Sequence, residues 1–152
     1  MKAALARANE LDPLDTELAD WGTWALFMSG ETEAADLTER APVALIMLAP
    51  AHGYAGDQDA VQPLLDEAER ANIYMCPYET AVAHLSRGDE AGRARAMDLL
   101  FEAASLRSNC LIFLRVDPRM RVLREDVRFA GRFGELLRVV GLDDRAVASY
   151  RL

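Results

Sequence analysis

The sequence has few cysteines, almost no lysine and no long apolar run. Two cysteines stand among its 152 residues, which excludes a framework of several disulfides and favours a reducing, cytoplasmic setting. No apolar run approaches the roughly 20 residues that a membrane-spanning helix needs. The opening residues also lack the apolar stretch of a secretory signal. These absences predict a cytoplasmic protein without a membrane partner.

Charge is abundant but unevenly distributed. The chain carries 17 basic and 25 acidic residues, for a formal net charge of −8, and Lys2 is the single lysine. Residues 1–105 hold 7 basic and 19 acidic side chains, whereas residues 106–152 hold 10 basic and 6 acidic ones. An acidic main part therefore precedes a basic end. The hydrophobic content of 51% argues against intrinsic disorder.

Apolar residues recur at helical spacing along nearly the whole chain, and strand-like alternation is almost absent. We expect a helix over 74–87 that contains Pro77, and a last helix that Asp126 caps and Gly141 ends. The apolar run over 110–114 is too short and isolated for a sheet, so we expect a short buried helix or turn there. The sequence therefore predicts an all-α fold.

Three glycine–acid pairs follow comparable helices and indicate a repeated unit. They are Gly30-Glu31, Gly56-Asp57 and Gly88-Asp89, whose glycines lie 26 and 32 residues apart. A histidine lies four residues before the second and the third glycine, as His52 and His84. Such recurrence is typical of stacked helical hairpins, because one hairpin cannot bury its apolar face alone.

The chain resembles tetratricopeptide repeat (TPR) proteins, whose unit is a helical hairpin of about 34 residues. The residues that carry the resemblance are Ala8 with 10–13, 26–30, 49–56 with Leu65 and Ala68, and 81–88 with Leu100 and Ala103. The segment 113–118 and the apolar residues after it are similar to the closing segment of repeat regions in bacterial signalling and transcription regulators. The resemblance implies a right-handed superhelical stack of helix–turn–helix hairpins with a C-terminal capping helix.

By this resemblance, TPR-like repeats occupy residues 1–107. Their parts are 1–13, as the second helix of a truncated repeat, then 16–41, 42–71 and 74–107. A C-terminal capping segment follows over 108–142, and a tail over 143–152. Because 1–13 looks like the second half of a hairpin, we expect a piece of a longer array. Exposed apolar surface on this helix would then favour a homodimer.

The resemblance also implies a working surface, since the first helices of TPR hairpins line a groove. The residues that would face this groove are Asp20, Trp24, Phe27, Ile46, Tyr54, Tyr78, Val82 and Leu85. Helical spacing agrees, because three of them (Asp20, Trp24 and Phe27) fall on one stripe. The lack of lysine and arginine disfavours a clamp for a peptide carboxylate and favours an apolar or amphipathic helical partner. An alternative stays open, in which these side chains belong to the core.

We expect a non-catalytic scaffold for protein–protein or intramolecular domain interaction within a larger bacterial regulatory protein. It would use no cofactor and no metal, and its partner would be a protein or peptide segment, such as an upstream domain of the same polypeptide. No nucleophile elbow or glycine-rich phosphate loop is present. The alternative is a ligand- or metal-sensing or enzymatic module that uses His52 and His84, although packing explains both histidines more simply.

The basic end offers a second alternative, which is nucleic-acid binding. Four arginines follow helical steps of three, four and four residues: Arg121, Arg124, Arg128 and Arg132. On a continuous helix they would form one stripe that contacts phosphates. The interleaved acids Glu125 and Asp126 and the lack of stacking aromatics favour a solvated face paired with neighbouring acids. We therefore expect no nucleic-acid partner.

Neither cysteine is expected to react. Cys76-Pro77 resembles the dipeptide of haem-responsive proteins, but two residues are weak evidence for haem. Cys110 opens an apolar run, which is typical of a core cysteine.

Overall fold

The computed structural model describes residues 2–11, 42–71 and 76–144, and within these ranges the chain forms helices and turns but no strand. The all-α prediction is therefore confirmed for this part of the chain. The chain divides into two compact units, which are Met1–Met75 and Cys76–Leu152.

The first unit contains α1 (Lys2–Leu11) and a hairpin of α2 (Pro42–Tyr54) and α3 (Gln58–Arg70). Gly56 lies between α2 and α3 with a φ of +95°, a left-handed conformation that glycine adopts without strain. This conformation reverses the chain after α2. The buried apolar residues of the hairpin are Ile46, Ala49, Ala51, Val61, Leu65 and Ala68.

The second unit begins with a hairpin built on the same plan. Gly88, with a φ of +73°, joins α4 (Pro77–Leu85) to α5 (Glu90–Ser105). Asp89 is the N-cap of α5, and its side chain accepts a hydrogen bond from the Gly92 N–H at 2.6 Å. The glycine–acid pairs at 56–57 and 88–89 therefore mark equivalent turns, as the sequence predicts.

Gly92 allows α4 and α5 to approach each other closely. A Cβ atom at this position would lie 2.4 Å from the backbone oxygen of His84 and 3.3 Å from Cβ of Arg87. Real Cβ atoms essentially never come within 3.0 Å of such a neighbour. Only glycine therefore fits between the two helices at this point.

Short helical elements follow the hairpin in the described part of the second unit, up to residue 144. They are the 3₁₀-helices Asn109–Phe113 and Pro118–Met120, followed by α6 (Arg121–Glu125) and α7 (Ala130–Val139). The first of them is the short helix expected over 110–114, but the expected burial holds for only part of the run, since Ile112 is exposed. Gly141, with a φ of +71°, ends α7 as predicted. The hairpin and this segment share one core, whose largest buried side chains are Tyr78, Met97, Leu100, Leu114, Met120, Leu123, Phe133 and Leu136.

Two details of the helix predictions are wrong. Pro77 does not lie inside a helix but is the first residue of α4, with Cys76 as its N-cap, because a residue without an N–H fits the first helical position. Asp126 does not cap the last helix, since residues 127–129 form a turn and α7 begins at Ala130. The Asp126 carboxylate instead accepts from the Arg128 N–H at 3.0 Å. This interruption also means that the four arginines do not share one continuous helix, so their predicted stripe does not form.

Candidate functional site

The structure places the predicted groove residues in different environments. Tyr78, Val82 and Leu85 are buried in the core of the second unit. Ile46 is buried as well, whereas Tyr54, the last residue of α2, is exposed. The other predicted groove residues lie outside the described part of the chain: Asp20, Trp24 and Phe27. Burial of the three α4 residues agrees with the core alternative, and the groove itself stays a prediction.

A buried polar network joins α4 to the C-terminal segment of the second unit. The Tyr78 hydroxyl donates to Oδ2 of Asp117 at 2.7 Å, although 39 residues separate them in sequence. Arg119 donates to the same carboxylate from Nε and Nη2 at 2.7–3.0 Å and from its backbone N–H at 2.8 Å. Glu79 adds a second carboxylate, 3.7 Å from Nη1 of Arg119. The charge of Arg119 therefore compensates that of Asp117 where little water reaches them, and Glu79 adds a more distant, partly exposed negative group.

The charge states of this network follow from burial and pairing. Burial alone would raise the pKa of Asp117, but the hydrogen bonds and the charge of Arg119 outweigh burial and hold that pKa below its usual value. Burial, followed by the charge of Asp117, raises the pKa of Tyr78 well above its usual range. Asp117 thus stays ionised while Tyr78 stays protonated. This combination suits a structural role better than acid–base catalysis.

His52 and His84 occupy equivalent positions in the two hairpins but differ in environment. His52 is partly exposed, and its Nδ1 lies 3.0 Å from Oδ2 of Asp57. His84 is buried, and its Nδ1 has no hydrogen-bond partner among the described residues. The acid that corresponds to Asp57 in the second hairpin is Asp89, which caps α5 instead. His84 is therefore a packed core residue, as the simpler sequence interpretation expects.

His84 makes the stability of the second unit depend on pH. Burial, followed by the charges of Arg95 and Arg87, lowers the pKa of His84 to about 4, while Asp89 acts in the opposite direction. An unfolded histidine has a pKa of about 6.5. Between these two values the unfolded chain binds a proton that the folded chain does not, so stability falls as pH is lowered. We expect a loss of about 2 kcal/mol between about pH 7.5 and about pH 5.

Urea unfolding at the two pH values, followed by circular dichroism, measures this loss. In His84→Leu the loss shrinks, because the titrating group has been removed. The matched control is His52→Leu, at the equivalent but more exposed position, which retains the dependence on pH. Equal dependence in the wild type and in His84→Leu would contradict the role of His84.

The four arginines of the predicted stripe are engaged within their own unit. Ion pairs link Arg121 to Glu125, Arg128 to Asp126 and Glu90, and Arg132 to Asp98. Arg124 donates to backbone oxygens at 3.1–3.3 Å, namely those of Leu114, Arg115 and Asp117. Three of the four arginines are therefore paired with neighbouring acids, as expected, whereas Arg124 contacts backbone oxygens.

An apolar pocket of about 330 Å³ opens beside the end of α5, the Asn109–Phe113 helix and the end of α7. Its apolar lining consists of Ala104, Leu111, Ile112, Val139, Val140 and Leu142. Ile112 and Val139 are 66% and 62% exposed. Arg107 and Ser108 complete the lining. Two large aliphatic side chains thus stand in water at the edge of a pocket, which sequence analysis did not predict.

A second cavity, of about 540 Å³, is more polar. Arg115, Arg124 and Arg138 line it together with Asp143 and Asp144. Arg115 already pairs with Asp144 at 2.8 Å, and Arg124 is engaged by backbone oxygens. Two of the three arginines therefore already have partners, which makes the cavity a weak candidate for an anion site.

Neither metal chemistry nor a membrane span is indicated by the residues that the structure describes. Among them, no three His, Cys, Asp or Glu side chains are grouped so as to hold a metal ion, and none of the helices has both the length and the apolar character that crossing a bilayer requires. The chain matches no protein-family model, no curated protein and no solved structure.

Proposed function

We propose that this chain is a non-catalytic interaction module, in which TPR-like hairpins and a C-terminal capping segment present the apolar pocket to a protein partner. The observation that carries the proposal is the exposure of Ile112 and Val139 on this pocket. Aliphatic surface of this kind is unfavourable in water at about 25 cal/mol per Å², and a partner that covers it recovers that free energy.

The TPR-like part of the proposal is supported by the equivalence of the two hairpins. Gly56 and Gly88 have the same left-handed conformation, and each is followed by an aspartate at the N-cap of the next helix. A helical pair of this plan, used more than once, is the unit from which repeat arrays are built.

The partner that fits the pocket is an amphipathic helix with acidic residues beside its apolar side chains. The pocket, at about 330 Å³, lies at the lower end of the roughly 300–1,000 Å³ of small-molecule sites, which suits one or two anchoring side chains. Arg107 stands in its lining, and residues 106–152 are the basic part of the chain. Acidic residues on the partner would therefore complement the charge around the anchor.

Two designed helical peptides test this proposal by fluorescence anisotropy. One carries leucines along a single face with glutamates beside them, and the other carries lysines in place of the glutamates. We expect the acidic peptide to bind, and we expect the affinity of the basic peptide to be lower by a factor of about ten or more. Ile112→Asp is expected to weaken binding of the acidic peptide about tenfold to a hundredfold, because it removes an apolar contact of about 1.5–3 kcal/mol.

Val127→Asp is the matched control, since it places the same charge at a valine that is 91% exposed and does not line the pocket. This variant is expected to bind like the wild type. Failure of the acidic peptide to bind, or binding that survives both Ile112→Asp and Val139→Asp, would overturn the proposal. Sedimentation of the free protein tests for a different occupant of the pocket. Self-association that Ile112→Asp abolishes would show that a second copy of the chain fills it.

A further inference from the structure

The two cysteines of the chain meet in the second unit. Cys76 is the N-cap of α4, Cys110 lies in the Asn109–Phe113 helix, and their sulfur atoms are 3.8 Å apart although 34 residues separate them. Both are free thiols, and both are only half-buried, so a small reagent reaches them. A disulfide has an S–S distance of about 2.05 Å. The two sulfurs therefore need to approach each other by only about 2 Å to form one.

Polar groups surround the two sulfurs. Oγ of Ser108 lies 3.5 Å from Sγ of Cys76 and accepts from the Cys110 N–H at 3.4 Å. Oδ1 of Asn109 lies 3.6 Å from Sγ of Cys110. The two sulfurs are thus within contact distance of each other and of polar neighbours.

The two thiols differ in their readiness to react. Burial, followed by the neighbouring Cys76, raises the pKa of Cys110 to about 11, so Cys110 is a neutral thiol at neutral pH. The thiolate is the nucleophile in thiol oxidation. The first attack is therefore assigned to Cys76, and Cys110 supplies the second thiol.

We infer that Cys76 and Cys110 form a dithiol site that a peroxide oxidises to an intramolecular disulfide. The Cys76 thiolate attacks one peroxide oxygen, the O–O bond breaks, and a sulfenic acid forms while the released hydroxide takes up a proton as water. The Cys110 sulfur then attacks the sulfenic sulfur, the S–S bond forms, and the sulfenic hydroxyl leaves as water with the Cys110 proton. The two sulfurs together lose two electrons, and the peroxide gains them.

This bond would enclose the whole α4–α5 hairpin. It joins the residue before α4 to the helix that follows α5, so the closed loop contains both helices and the Gly88 turn. Closing a loop of this length restricts the unfolded chain more than the folded one, which raises stability. The inference is independent of the proposed partner, although Ile112 of the apolar pocket lies in the same 3₁₀-helix as Cys110.

Thiol labelling of the full chain tests the inference. The native protein is treated with hydrogen peroxide, quenched and denatured, and the remaining thiols are labelled with a maleimide and counted by intact mass. We expect the two labels of the untreated chain to fall to none in a monomer that has lost two hydrogens, and dithiothreitol to restore both. The oxidised protein is expected to melt at least about 5 °C higher than the reduced one.

Single variants then separate the two steps. Cys110→Ser is expected to stop at a sulfenic acid on Cys76, which dimedone traps, whereas Cys76→Ser is expected to keep its remaining thiol free. Labelling of the wild-type protein is enough by itself to decide whether the disulfide forms. Retention of both thiols, disulfide-linked dimers, further oxidation to sulfinic acid without a disulfide, or equally fast disulfide formation in the urea-unfolded chain would each overturn the inference.

Discussion

Replacement of Asp117 by asparagine is expected to lower the free energy of unfolding by about 3–5 kcal/mol. Asp117 is 1% exposed, and its carboxylate accepts hydrogen bonds from Tyr78 and Arg119. Asparagine keeps the size of the side chain but removes its charge, so the buried Arg119 cation loses its nearest counter-charge. Urea unfolding gives the free energy, and hydrogen exchange of peptides from α4 and α5 assigns the loss to the second unit.

Asp98→Asn is the matched control for this prediction. Asp98 also pairs with an arginine, Arg132 at 2.8 Å, but its side chain is 54% exposed. Exposed pairs contribute about 0–1 kcal/mol, so this variant is expected to unfold close to the wild type. Adding Arg119→Met to Asp117→Asn removes the stranded cation, and the double variant is expected to be more stable than Asp117→Asn alone. Equal losses in Asp117→Asn and Asp98→Asn would show that the buried network does not hold the unit together.

Gly92→Ala is expected to destabilise the second unit by about 3 kcal/mol, at the upper end of what overpacking costs. The added methyl group would stand 2.4 Å from the His84 backbone oxygen, which belongs to a helix and cannot turn aside as a side chain would. It would also crowd Oδ1 of Asp89, 2.8 Å away, which caps α5 through the Gly92 N–H. Relief therefore requires α4 and α5 to separate, and this separation opens the core between them. Thermal unfolding and urea unfolding both measure the effect.

Gly134→Ala makes the same chemical change, but it is expected to raise the free energy of unfolding. Gly134 lies inside α7, and a Cβ atom there meets nothing within 4 Å. Alanine restricts the unfolded chain and favours the helix, so we expect a gain of about 0.5–1 kcal/mol. If both variants shifted the free energy of unfolding in the same direction, the close approach of α4 and α5 would not be the reason that residue 92 must be glycine.

Helix ends were predictable from the sequence where their causes are local. Gly88 and Gly141 end helices because glycine adopts a positive φ without strain, and both do so in the structure. Pro77 shows the limit of such rules, since a proline in an apolar stretch is compatible with a kinked helix or with a new first turn. Asp126 shows another limit. Its carboxylate could accept from an N–H group at the start of a helix or from one in a turn, and in the structure it accepts from the Arg128 N–H of the turn.

The partners of side chains were much less predictable than the helices that carry them. Helical spacing places Tyr78, Val82 and Leu85 on one stripe of α4, but spacing does not say what covers that stripe. The cover includes Asp117, whose position 39 residues later no spacing rule connects to Tyr78. Cys76 and Cys110 meet across a similar separation.

The apolar pocket illustrates the same difficulty within a few residues. The run over 110–114 is apolar throughout, and this composition predicts burial of the whole run. In the 3₁₀-helix that it forms, Leu111 is buried while Ile112 points to water. Composition therefore predicted that the segment packs on the core, but only the local helix geometry decides which side chain remains outside.

The sequence separation between Tyr78 and Asp117 also determines when their hydrogen bond can form during synthesis of the chain. A ribosome adds about 5–20 residues per second, so the 39 residues that follow Tyr78 up to and including Asp117 take about 2–8 s to appear. Throughout that interval Tyr78 and Glu79 lack Asp117 and Arg119, and their polar groups must stay hydrated. The second unit therefore closes only after its C-terminal segment has been translated, and a chain terminated before residue 117 would present an α4–α5 hairpin with an uncovered apolar face to chaperones and proteases.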